Sequence, residues 1–153
     1  MHQAAERHLS RLRAVCAAFL ATLVVYGAVV TVVAPPIPPP LPQSAGLAWG
    51  LLALALLNLV TLMPVYRAMM AGPRRVHGVD RRIEPLLLAH LQAHIVAYAR
   101  LEVVSVLGLV LFFAAAREDW FWIFTGAAAV GMLLLWPTRE KVASLVEGPA
   151  ASG

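Results

Sequence analysis

Residues 86–116 read LLLAHLQAHIVAYARLEVVSVLGLVLFFAAA, and this stretch decides how the chain is read. Thirty-one helical residues would extend about 46 Å, against a hydrocarbon core of about 30 Å. A helix this long either tilts or projects its first turns from the membrane. Only Arg100 and Glu102 are charged within it.

Three further apolar runs share its character. Residues 14–33 carry no charge, residues 46–66 carry Asn58 and Thr61 with Pro64 near the end, and residues 120–136 stop at Pro137. Each approaches or reaches the roughly 20 residues that a membrane helix needs. Hydrophobic residues make up 61% of the 153 and charged residues 13%, where a soluble domain has about 45–50% and about 25%. With a mean hydropathy of +0.78, the chain reads neither as a soluble globular domain nor as a disordered one. Its length suits one domain and is too short for a large two-half transporter.

The connections between runs are equally legible. Residues 34–45, APPIPPPLPQSA, form a stiff polyproline-like spacer, because proline fixes φ and removes donors. Residues 67–85 form the most hydrophilic segment, with turns expected at Gly72-Pro73 and Gly78, and Pro85 suits the first turn of the next helix. Arg117, Glu118 and Asp119 make a short polar link. Residues 1–145 therefore read as a single domain and residues 146–153 as a disordered tail. The first run exceeds a signal-peptide core of about 7–15 residues, and Pro35 and Pro36 stand where cleavage would be sought, so it reads as an uncleaved span.

Charge sets the expected orientation. Ten of the 12 Lys and Arg residues lie in the N-terminal segment, the middle loop and the tail. By the positive-inside rule both termini and the middle loop face the cytoplasm, and Trp49, Trp120, Trp122 and Trp136 sit near span ends as interfacial aromatics do. The expectation is an all-α four-transmembrane-helix bundle of two antiparallel hairpins, multi-pass, in a bacterial inner membrane. The halves show a faint parallel repeat: Tyr26-Gly27-Ala28-Val29-Val30 matches Leu107-Gly108-Leu109-Val110-Leu111. The net charge of +4 is topological on this reading. It implies contact with anionic headgroups through Arg67, Arg74, Arg75, Arg81 and Arg82, and no nucleic acid.

Chemistry concentrates on the third run. His90, His94, Tyr98 and Glu102 recur every four residues and share a helix face, with Ser105 and Gly108 in the same arc. Glu102 lies about five residues inside the membrane boundary, where a carboxylate needs a partner, a water-filled crevice or a proton. One reading makes Glu102 a proton or cation site, with Tyr98 and Ser105 as hydrogen-bonding neighbours and His94 and His90 as a hydrated proton relay. The other makes the stripe a polar seam between helices, Glu102 bonding Asn58, Thr61 or Thr22. Arg100 points about 160° away from Glu102 and can snorkel to the surface.

No catalytic set is visible. The serines lack a nucleophile-elbow pattern, Cys16 sits in an apolar helix, and there is no phosphate loop. His90-x-x-x-His94 has the spacing of two metal ligands, but Glu102 is about 12 Å farther along the axis. A bis-histidine haem needs a second histidine-bearing span, which is lacking. No enzyme activity, cofactor or metal is expected. The reading is a non-enzymatic subunit, in a homo-oligomer or with a membrane-protein partner.

The segment LEVVSVLGLVLFF, residues 101–113, resembles the carboxylate helix of rotary-ATPase proteolipid (c or K) subunits, where a membrane-embedded acid precedes a Gly-Leu-Val stretch. Two hairpins in about 150 residues also look like the duplicated proteolipid form. The resemblance implies proton or cation translocation with Glu102 as the family's acid. The overall plan equally resembles uncharacterised small bacterial four-span membrane proteins.

Overall fold

The computed structural model describes residues 2–33, 44–80 and 83–147. Residues 34–43 of the proline-rich spacer, Arg81, Arg82 and residues 148–153 lie outside the described residues, while Ser44 and Ala45, expected in the spacer, begin α2. Those described are overwhelmingly helical: α1 (His2–Val33), α2 (Ser44–Val60), α3 (Leu62–Asp80), α4 (Ile83–Ala115), α5 (Glu118–Leu134) and α6 (Arg139–Glu147). The expected all-α class is present. Three helical stretches are long and apolar enough to cross a membrane: Ala5–Val33, Gly46–Pro73 and Ile83–Ala115. α5 reaches that length only together with α6, from which it is bent by 58°.

α4 is the axis of the fold and packs against α1, α2, α3 and α5. Half of its most apolar window is buried, against 22% for α1 and 11% for the α2–α3 stretch. The helices therefore pack on α4 more than on one another. The central cluster joins Cys16 and Leu23 of α1, Tyr98, Leu101 and Leu111 of α4, and Phe124 of α5. In a bilayer no hydrophobic force separates helix from lipid, so this close packing and the interhelical hydrogen bonds must hold the helices together.

α4 and α5 approach closely because Gly108 has no side chain. A Cβ there would lie 2.9 Å from the Phe124 Cβ and 3.2 Å from the Phe121 Cα. The link between the two helices is tight. Ala116 takes a left-handed φ of 52° and ends α4, a backbone state that usually closes a helix. Arg117 then grips Asp119 through two hydrogen bonds of 2.9 and 2.6 Å.

Two segments differ from the sequence-based expectation. Gly72-Pro73 and Gly78, expected as turns, lie within α3. There Met70 packs with Leu86 and Ala93 of α4, backed by Tyr66 and Met69, and this apolar face outweighs the local turn preference. α6 continues to Glu147, two residues into the expected tail. It is held to α1 by Val142 against Leu9 and Leu12.

α2 and α3 meet at Thr61, where the backbone ladder carries on: Thr61 N–H bonds the Leu57 carbonyl at 3.0 Å and Val65 N–H bonds the Thr61 carbonyl at 3.1 Å. Pro64 has no N–H to offer the Val60 carbonyl, which weakens the helix at this point.

Candidate functional site

The polar residues of α4 point toward different neighbours, so the stripe divides into separate contacts. Glu102 faces α1. The Tyr26 hydroxyl donates to its Oε1 at 2.9 Å, and the carboxylate is half-buried. This is the one hydrogen bond to that carboxylate among the described residues. Asn58, Thr61 and Thr22, considered as its partners, are engaged elsewhere. Thr22 bonds the Phe19 carbonyl, and the other two meet Arg100.

Arg100 faces the α2–α3 junction, as its 160° offset from Glu102 requires. Its Nε donates to Asn58 Oδ1 at 3.3 Å, its Nη1 to the Thr61 carbonyl at 3.4 Å and its Nη2 to the Asn58 carbonyl at 3.3 Å. Nη2 also meets the Thr61 hydroxyl. The cation therefore sits at the C-terminal end of α2, where helix carbonyls concentrate negative potential. Its side chain reaches sideways to a neighbouring helix.

Tyr98 and Ser105, expected beside Glu102, bond other groups. The Tyr98 hydroxyl, on a fully buried ring, donates to the Leu135 carbonyl at 3.1 Å. Ser105 Oγ and Thr125 Oγ1 are 2.8 Å apart in the buried α4–α5 seam. The end of α5 has several donors at its free carbonyls, since Lys141 Nζ bonds the Leu134 and Trp136 carbonyls, each at 3.1 Å.

The Ser105–Thr125 pair yields a direct prediction. Ser105→Ala or Thr125→Val alone should lower stability by about 1 kcal/mol, while the double substitution should cost less than the two added together. Thermal unfolding of the four proteins in one detergent measures this. Strict additivity would show that the two hydroxyls do not interact.

His90 and His94 are both buried and adjacent, with ring centroids 4.3 Å apart. His94 Nδ1 lies 3.0 Å from the His90 carbonyl and 3.4 Å from the Tyr66 hydroxyl. A third histidine joins them. α1 begins well before the apolar run, and His8 Nε2 lies 3.1 Å from His90 Nδ1. A histidine thus does face α4 from another helix, contrary to the sequence expectation, but the two rings bond each other directly. Among the described residues no three His, Cys, Asp or Glu side chains converge as a metal site would require.

Arg67 and Arg75 of the basic patch are exposed on α3. The side chain of Arg74, with Arg81 and Arg82, lies outside the described residues. Sequence reasoning missed Tyr26, His8 and the engagement of Arg100. Pro64 signals a helix break nearby, but the carbonyl it frees is that of Val60, whereas Arg100 bonds the Asn58 and Thr61 carbonyls. Comparison with protein-family models, with curated proteins and with solved structures gives no match.

Proposed function

We propose that the chain is a multi-pass membrane protein whose four apolar runs cross the bilayer in two hairpins, with both termini and the basic middle segment on the cytoplasmic side of a bacterial inner membrane. Its role is that of a non-enzymatic subunit that binds a partner within the membrane. The basic segment, with Arg67 and Arg75 exposed, rests on anionic headgroups.

One observation carries the partner reading. Around α4, α1 and the α2–α3 stretch occupy opposite sides and α5 a third. None of the described residues covers the fourth side, which presents Leu88, Ile95, Val103, Val106, Val110 and Phe113. Glu102 sits at the edge of this face with only Tyr26 to bond it among the described residues. A carboxylate at this depth needs further donors or a proton. A partner helix lying along the uncovered face would bury its apolar residues and supply the missing donor.

The second reading, a proteolipid-like proton or cation carrier, draws on the same placement, because an acid at a lipid-facing edge is open to exchange. One pair of measurements separates the two. Mild-detergent isolation followed by native mass determination is expected to give a defined hetero-complex. Glu102→Gln, which keeps the acceptor for Tyr26 but removes the charge, should lower partner recovery several-fold without changing proton flux in proteoliposomes. A homo-ring, pH-dependent labelling of Glu102 by dicyclohexylcarbodiimide and flux abolished in Glu102→Gln would establish the carrier instead.

A further inference from the structure

Three histidines meet at one end of the fold, independently of the Glu102 face. His8 is 6% exposed, His90 5% and His94 4%. The rings of His8 and His90 are 5.4 Å apart and those of His90 and His94 are 4.3 Å apart. The His8 Nε2 to His90 Nδ1 contact, at 3.1 Å, is a direct tie between α1 and α4.

Every packed element contributes to the surroundings. α1 brings Arg11, which acts electrostatically on His8. α3 brings the Tyr66 hydroxyl, and α4 brings the His90 carbonyl and the Tyr98 ring, 5.9 Å from His94. The Leu135 carbonyl, just past α5, and the Lys141 ammonium of α6 both act electrostatically on His94. Arg139 of α6 also reaches Glu6 of α1 at 3.6 Å, at the surface.

The nitrogen–nitrogen contact has a simple proton requirement. One ring must donate and the other accept, so at least one of the two must be neutral. With both protonated, two N–H groups would oppose each other between buried rings, and the charge of exposed Arg11 adds to the repulsion at His8. His94 differs, because its Nδ1 lies on the His90 carbonyl, an acceptor that it keeps when charged. A charge on His94, one ring away, further opposes the second proton on the pair.

We propose that His8 and His90 form a pH-released clasp, which holds the N-terminal turns of α1 against α4 while either ring is neutral and lets them part when both are charged. The direction follows from the hydrogen bond: the clasp is shut at neutral and alkaline pH and opens as the pH falls. Imidazole is the side chain that changes charge between about pH 5 and 8. The segment set free also carries Leu9 and Leu12, which hold Val142 of α6, so α6 loosens with it.

The test uses the full chain in lipid nanodiscs, in a Cys16→Ala background. Spin labels go on the exposed Ser10→Cys of α1 and Gln92→Cys of α4. The label-to-label distance should lengthen by several ångström and broaden between about pH 7.5 and about pH 5. His90→Gln, whose amide both donates and accepts but does not titrate, should keep the short distance at both pH values. A distance independent of pH in the parent protein, or a change in His90→Gln as large as in the parent, overturns the proposal. Histidine nitrogen-15 shifts of the unsubstituted chain give a reading that needs no variant. His8 and His90 must both become protonated over the pH range in which the distance changes, and a ring that stays neutral through it also overturns the clasp.

Discussion

Arg100→Met is expected to destabilise the protein by about 2–3 kcal/mol, the net loss once the gain from no longer burying a cation is set against the lost bonds. The guanidinium makes four hydrogen bonds to Asn58 and Thr61 across the α4 to α2–α3 interface. Methionine keeps much of the aliphatic stem and removes all four. The Asn58 carbonyl then loses a donor beside a helix break that Pro64 already weakens. In a bilayer little water would be at hand to replace the lost donor. For a chain of this size the thermal midpoint should fall by about 5–10 °C. Arg100→Lys should recover part of the loss, since an ammonium keeps the charge near the carbonyls but cannot span them as a planar fork does. Unfolding followed by tryptophan fluorescence in detergent tests this. A methionine variant within about 0.5 kcal/mol of the parent would rule out the assigned role, as would a lysine variant no better than methionine.

Gly108→Val should cost about 3 kcal/mol, at the upper end of ordinary overpacking. The atoms that a side chain would meet are a Cβ and backbone atoms of α5, at 2.9 Å and 3.2 Å, and these cannot turn aside as a flexible side-chain tip can. α5 would have to move away as a unit. That movement opens the cluster of Val30, Phe112 and Phe121 and lengthens the Ser105–Thr125 contact one turn away. Gly126 is the matched control. It lies on the same helix pair with nothing within 4 Å of its would-be Cβ. Gly126→Ala should be neutral or stabilising by up to about 1 kcal/mol, through helix propensity alone. Equal losses at the two positions would show that close approach at Gly108 is not what positions α5.

The contrast between these two glycines shows what a sequence can carry. Both lie in apolar runs, and only the position of α5 separates them. The polar stripe behaves the same way. Spacing by four puts His90, His94, Tyr98 and Glu102 within one arc of α4, but an arc of about 120° is wide enough to meet more than one neighbour. Tyr98 turns to the end of α5, Glu102 to Tyr26 of α1, and Ser105 to Thr125. A helix-face argument groups residues without choosing their partners.

Local chemistry alone determined the apolar helical runs and the all-α class of the chain, but not every break, since Gly72-Pro73 and Gly78 lie within α3. Apolar composition and helical length are properties of the segments themselves, and Arg117 and Pro137 fall in the short breaks that follow α4 and α5. The 160° separation of Arg100 and Glu102 is likewise a consequence of helix geometry. Only the tertiary structure decided what lies at each end of that angle. It put α1 on one side of α4 and the α2–α3 junction on the other, brought His8 onto His90, 82 positions away in the sequence, and left one face of α4 uncovered by the described residues. Such contacts depend on which helices lie side by side, and in uniformly apolar segments nearly every pairing buries similar surface. Pairing is then set by a few close approaches and hydrogen bonds, Gly108 against α5 and Arg100 at the Thr61 junction foremost, whose partners lie far away in the sequence.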